Sequence, residues 1–170
     1  MRILAYLIVL VIATVVMMYV AGRSLPVGHV AARGERFYAP RDTVWRIITD
    51  VGGYAAWRKD ISSVELLPSV HGLPSWREIA GRDRVEYVAE EMVAPERFVV
   101  RIATGGLPYG GVWRYELFPD EGGTRLLITE EGEVYNPLFR FLMKYVFGET
   151  STIEKYLSHL GRRLATTKDP

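Results

Sequence analysis

Between Ile61 and Tyr135 the chain repeats one pattern, an extended run followed by a turn-forming cluster, and that repetition restricts the fold more than any other feature. The runs centre on Val64–Leu67, Trp76–Ile79, Arg84–Met92, Arg97–Ile102, Val112–Phe118 and Thr124–Glu133. They are separated by Pro68–Ser75, Gly81-Arg82-Asp83, Ala94-Pro95-Glu96, Gly105–Gly111 and Pro119–Gly123, all rich in residues that favour turns. A parallel crossover needs a dozen or so residues, usually a helix, so connections this short make consecutive strands antiparallel neighbours. The pattern predicts a meander.

Alternation assigns its faces. Val85, Tyr87 and Ala89, then Phe98, Val100 and Ile102, then Trp113, Tyr115 and Leu117, then Leu126 and Ile128 share one side. Glu86, Glu90, Arg97, Arg101, Arg114, Glu116 and Arg125 share the other. A sheet with one apolar and one charged face has water on one side and a cover on the other. The long amphipathic element available is C-terminal: Ile153, Tyr156, Leu157, Leu160 and Leu164 recur at helical spacing, opposite Glu154, Lys155, Ser158, Arg162 and Arg163. Ser151-Thr152-Ile153-Glu154 reads as its capping box. Burying five such side chains yields on the order of 10 kcal/mol, less than the cost of ordering about fourteen residues at roughly 1–2 kcal/mol each. The helix therefore needs the sheet.

Upstream, Ile3 to Gly22 is uncharged throughout and without a polar face. A helix of about 20 residues spans roughly 30 Å, the hydrocarbon thickness of a bilayer. The run exceeds the 7–15 residues typical of a signal-peptide core, which favours a retained anchor over a cleaved leader, although Val20-Ala21-Gly22 resembles a cleavage site. Arg23, Arg33, Arg36 and Arg41 follow the span and only Arg2 and the amino terminus precede it. That count leans toward a cytoplasmic domain, while a signal-anchor insertion would leave the domain outside. The expected division is a transmembrane anchor (residues 1–23), a linker (24–29), one domain (30–165) and a tail (166–170). Without Arg2 and Arg23, the 21 basic and 20 acidic residues become 19 against 20. No basic field then exists to attract nucleic acid. Cysteine is absent, which excludes disulfides and thiolate chemistry.

Val30 to Tyr38 reads as a first, edge-like strand. Pro40 suits the first turn of a helix carrying Val44, Trp45, Ile47 and Ile48. Gly52-Gly53 breaks it, and Asp50 caps a second short helix with Tyr54 and Trp57 facing inward. Near the other end, Asn136-Pro137 starts a short helix that Gly148 stops after Phe147. Of its residues only Arg140 and Lys144 are charged. Such a helix either is buried against the domain or dips one face into lipid while the two cationic heads snorkel to phosphates.

These residues have a familiar succession. Ala39-Pro40, Val44-Trp45, Thr49-Asp50, Tyr54 and Trp57, followed by Gly110-Gly111-Val112-Trp113 and Thr129-Glu130-Glu131-Gly132-Glu133, resemble the START-like SRPBCC superfamily over Val30 to Leu164. More narrowly, the chain is similar to membrane-anchored bacterial members of the polyketide cyclase/dehydrase and lipid-transport type. The resemblance implies an α+β helix-grip fold: a curved seven-stranded antiparallel sheet around a long C-terminal helix, with an apolar cavity between them. Such relatives bind lipids, sterols, isoprenoid quinones, polyketides or plant hormones, and a few catalyse cyclisation or hydrolysis. Fold does not choose among these.

For ligand binding the candidates are Tyr87, Phe98, Val100, Trp113, Tyr115, Leu117, Ile128, Glu130 and Tyr156, with a hydrophobic small molecule or lipid as partner. The competing reading for the aromatic set is an ordinary filled core. Tyr87 and Tyr115 are best suited to touch a polar head, because buried hydroxyls need partners. Glu130 is in phase with Leu126 and Ile128 and so points inward, unless a bulge at Gly132 slips the register and turns Glu131 inward instead. A buried carboxylate has a raised pKa and can act as a general acid or base. His29, His71 and His159 share no metal-ligand spacing and read as surface residues. Leu107-Pro108-Tyr109 reads as a cavity rim. No nucleophile elbow or phosphate-cradling loop occurs, and neither cofactor nor metal is expected. The leading expectation is a carrier without chemistry; the alternatives are a cyclase- or dehydratase-type enzyme using an interior carboxylate, and a ligand-free interaction module.

Overall fold

The structure is a computed structural model that describes residues 2–166. Most of the expected tail, residues 167–170, lies outside the described residues. Helix α1 (Arg2–Arg23) precedes strand β1 (Gly28–Phe37), helix α2 (Arg41–Thr49) and a short 3-10 helix (Val51–Ala56). Six strands follow: β2 (Ser63–Val70), β3 (Leu73–Ala80), β4 (Asp83–Val93), β5 (Arg97–Ile102), β6 (Tyr109–Asp120) and β7 (Gly123–Val134). Helix α3 (Pro137–Leu142) runs into a π turn (Met143–Phe147), and α4 (Ser151–Thr166) completes the domain.

The seven strands form one antiparallel sheet in the order β1-β7-β6-β5-β4-β3-β2, so the meander is intact and β1 adds at its far edge. Strand faces follow the alternation. Phe98, Val100, Tyr115, Leu117, Leu126 and Ile128 are buried beneath α4, which sinks Ile153, Tyr156, Leu157, Leu160 and Leu164 into the same core. On the outer face Arg77 pairs with Glu65 and Glu86, Arg97 with Glu91, Arg101 with Glu90 and Arg114 with Glu131. Solvent-exposed pairs of this kind contribute little stability; they keep the outer face wet.

Local chemistry departs from expectation in several places. The stretch 68–75 is mostly strand, because the chain reverses tightly at His71-Gly72, both with positive φ (51° and 79°), and its flanks are free to pair. Gly52-Gly53 lies within the 3-10 helix rather than ahead of it. Asp50 makes no side-chain cap there; its carboxylate lies over Gly53, where a Cβ would stand 2.4 Å from Oδ2. Other contacts stand where the capping box was expected at the start of α4. Thr150 Oγ1 donates to Glu154 Oε1 (2.9 Å), while Ser151 Oγ donates back to the Gly148 carbonyl. Gly148, at φ 84°, ends the π turn as expected, and Asn136 Oδ1 accepts from the Phe139 amide at the start of α3. No bulge forms at Gly132: β6 and β7 pair without a slip from Tyr109↔Val134 to Asp120↔Gly123, which keeps Glu130 inward and Glu131 outward.

Candidate functional site

The core beneath α4 is not filled. A cavity of about 560 Å³ lies between the sheet and the helix, within the range of small-molecule sites. Its floor is the buried set Tyr54, Trp76, Val100, Tyr115 and Tyr156 together with Glu78. Its mouth is marked by exposed lining residues: Asp83, Glu133, Phe139, Thr152 and Lys155, with Tyr109 and Met143 beside them. Of the residues singled out from sequence, Tyr87, Val100, Trp113, Tyr115, Glu130 and Tyr156 line the hollow. Phe98, Leu117 and Ile128 lie in the packed core outside it. Tyr109 of the expected rim reaches the cavity, whereas Leu107 faces a different depression, about 720 Å³, on the outer side of the sheet end. That depression is floored by glycines and polar groups and encloses little apolar surface, so the hollow under α4 is the better candidate.

Aromatic rings dominate the walls. Trp76 stacks on Tyr87 with centroids 5.5 Å apart, and Tyr156 meets Trp57, Tyr115 and Tyr54 at 5.4, 5.5 and 6.5 Å. Burial raises the pKa of the Tyr54, Tyr87, Tyr115 and Tyr156 hydroxyls, keeping all four protonated as donors. Tyr54 spends its proton on the Ile48 carbonyl. The Tyr156 hydroxyl is buried at the cavity wall and, although the Tyr54 and Tyr115 hydroxyls are close, has no partner of hydrogen-bonding geometry.

At the floor sits a charged cluster built around Arg58. Arg58 donates Nη1 to Glu78 Oε1 and Nη2 to Asp60 Oδ2, both at 2.8 Å, and Trp76 Nε1 donates to the same Glu78 oxygen at 3.2 Å. The Arg58 guanidinium also lies 5.4 Å from the Tyr54 ring centre and 5.5 Å from that of Tyr156. The side chains of Arg58 and Glu78 are only 13% and 7% exposed. Burial opposes the guanidinium charge, but Glu78 and Asp60 outweigh it and raise the Arg58 pKa above its ordinary value. Burial likewise pushes Asp60 up, and the hydrogen bond and charge of Arg58 pull it below the usual carboxylate range. A signal for Glu78 is present in the sequence, since Trp76, Glu78 and Ala80 share a phase. Nothing local marks Arg58.

The histidines also depart from expectation. His71 is exposed in its turn and His29 is half-buried at the cavity, but His159 is buried at 5% exposure. Its Nδ1 lies 3.0 Å from Asp60 Oδ1 without meeting hydrogen-bond geometry. Burial lowers its pKa against the pull of Asp60, so it is neutral at physiological pH. Glu130 is the remaining ionisable group of note. Burial raises its pKa to about 7, partly offset by the neighbouring Trp113 indole. A carboxyl poised near neutrality inside an aromatic hollow can donate to a carbonyl or accept from a hydroxyl.

Beside the mouth, α3 packs against the end of α1. Gly22 is buried there, and a Cβ on it would stand 1.9 Å from the Pro137 carbonyl oxygen. Arg140 Nη1 donates to the Leu25 carbonyl at 3.0 Å. The remainder of α1 is one apolar helix, long enough to cross a bilayer, with its sides exposed.

Comparison with known proteins supports the architecture. The family described as polyketide cyclase/dehydrase and lipid transport matches residues 33–165. Comparison with curated proteins gave no significant match. Among solved structures, a START superfamily protein from Mycobacterium smegmatis aligns with a TM-score of 0.68 at 17% identity, over 82% of this chain and 99% of that one. The Zhui aromatase/cyclase from Streptomyces sp. R1128 aligns at 0.64 and 16% identity, over 81% and 94%. Norcoclaurine synthase from Thalictrum flavum aligns at 0.65 and 11% identity, over 84% and 98%. At such identities the likeness is one of fold.

Proposed function

The chain belongs to the polyketide cyclase/dehydrase and lipid transport family, and from that premise we propose that it is a single-pass membrane protein whose domain carries an apolar small molecule or lipid beneath α4. In this reading α1 anchors the chain and the domain from β1 onward binds; the linker is shorter than the expected 24–29, because Gly28 and His29 already pair with β7. The arginines that follow the span support a cytoplasmic side for the domain. The observation that carries the proposal is the hollow itself, about 560 Å³ of space where side chains of ordinary size would otherwise close the gap. Sequestering about 300 Å² of apolar ligand surface is worth several kcal/mol at ~25 cal/mol per Å² before the entropy of association is subtracted. Tyr87, Tyr115, Tyr156 and Glu130 supply hydrogen bonds for one polar end of the ligand, and Val100 and Trp113 pack its body.

Organic extraction and mass spectrometry of the purified full chain tests this, with Val100→Trp as the control that fills the hollow. The expected result is a near-stoichiometric apolar molecule in the wild type and its loss from a folded Val100→Trp variant. Equal amounts in both, or none in either, would count against a carrier.

A second reading is favoured by Glu130, a cavity carboxyl without a cationic partner and with a pKa of about 7. In that reading Glu130 is a general acid or base for a cyclase- or dehydratase-type reaction on the bound molecule. Two structural neighbours are named as an aromatase/cyclase and a synthase. Glu130→Gln separates the readings: a carrier keeps its cargo, whereas an enzyme loses turnover.

A further inference from the structure

Outside α1, the most apolar exposed stretch of the described residues is the segment from Pro137 to Phe147. None of its residues is buried, and Tyr145, Val146 and Phe147 are 61%, 59% and 56% exposed. Three observations indicate what covers them. The segment is continuous in space with the membrane-spanning candidate, since Pro137 seats on Gly22 and Arg140 holds the Leu25 carbonyl. A helix packed on the last turn of a span leaves the bilayer where that span does, at the level of the lipid head groups. Its composition suits that depth. Tyr145 and the cations Arg140 and Lys144 are interfacial residue types, and Val146 and Phe147 suit the hydrocarbon below. Finally, Phe139 and Met143 of the same segment line the mouth of the cavity.

We propose that the segment from Pro137 to Phe147 inserts into the lipid interface beside α1 and forms the lip of the cavity, so that the mouth opens at the bilayer surface. This rests on the reading of α1 as a membrane anchor. Its consequence is that an apolar ligand passes between lipid and cavity without crossing water. The irregular backbone suits such a lip, because a π turn followed by Gly148 at φ 84° ends the segment without committing it to a continuous helix with α4.

The chain has no cysteine, so single-cysteine variants can be labelled cleanly. Val9→Cys in α1, Val146→Cys and Phe147→Cys in the π turn, and Leu66→Cys on the exposed side of β2 are each made in the full chain and labelled with a nitrobenzoxadiazole fluorophore. They are reconstituted in phosphatidylcholine–phosphatidylglycerol vesicles with and without nitroxide-bearing lipid. The expected result is quenching at 146 and 147 at least about half as strong as at position 9, with none at 66. Quenching at 9 alone would overturn the proposal and leave the anchor standing. A blue-shifted but unquenched label at 146 and 147 would show a second protein copy covering the face, which also overturns it. Absence of quenching at 9 would remove the anchor and the proposal together.

Discussion

Replacing Arg58 by methionine keeps most of its volume while removing the charge, leaving Glu78 and Asp60 facing each other at the cavity floor. In the native domain their carboxylates accept from Arg58 at 2.8 Å each, with the Glu78 side chain only 7% exposed. Deleting one partner of a buried ionic group costs about 3–5 kcal/mol, because the remaining charge is desolvated and unpaired. For a domain of this size each kcal/mol moves the midpoint by roughly 2–4 °C, so Arg58→Met is expected to melt about 6–20 °C lower at pH 7. The pH dependence identifies the cause. In the wild type the depressed Asp60 pKa contributes stability that is fully present above the ordinary carboxylate range and lost only below it, so this contribution is nearly constant between pH 7 and pH 5. In the variant Asp60 loses the hydrogen bond and charge of Arg58 that pull its pKa down and keeps the burial that pushes it up, so its penalty is full near neutrality and is relieved on acidification. The gap between the two proteins should therefore narrow from pH 7 to pH 5. Adding Glu78→Gln should recover much of the loss. Circular dichroism melts of the full chain in detergent measure all three proteins. A gap that is the same at both pH values, with no rescue by the double variant, would show that Arg58 acts only by packing on the Tyr54 and Tyr156 rings.

Two further perturbations have defined outcomes. Glu130, raised to about 7, contributes stability that is present below its unfolded pKa and lost as pH rises through the folded value. Glu130→Gln should thus gain on the wild type by roughly 2–3 kcal/mol between pH 4.5 and 8 in urea unfolding, and parallel pH profiles would refute this. Gly22→Leu places side-chain atoms into the Pro137 carbonyl, so hydrogen exchange should speed up by about tenfold or more over residues 137–147 while β5 and β6 stay unchanged; unaltered exchange would show that the α1–α3 junction does not hold the segment.

Strand pairing, strand faces and the helical stripe are legible in the sequence because each is periodic. Tyr87, Trp113, Tyr115 and Glu130 alternate with charged or small neighbours, so their inward direction follows from the pleat once the register is unbroken. The same reasoning does not separate cavity from core. Phe98, Leu117 and Ile128 share the face with Val100 and Trp113 yet lie outside the hollow, because sharing a face does not specify how far α4 stands above each strand. His159 is buried rather than exposed for a related cause: whether Asp60 approaches α4 depends on the path of a loop, not on helical spacing.

Residue order alone settled the meander, the amphipathic helix that covers it, the apolar N-terminal run and the short helix between Asn136 and Gly148, since each depends on contacts within a few residues or on a repeat that backbone geometry imposes. Tertiary structure decided the hollow, the Arg58–Glu78–Asp60 floor and the seat of α3 on Gly22. These arise where segments far apart in sequence meet. A cavity is the difference between the space that curved strands and a raised helix enclose and the volume their side chains fill. A loop arginine becomes buried only when the 3-10 helix and β3 close around it.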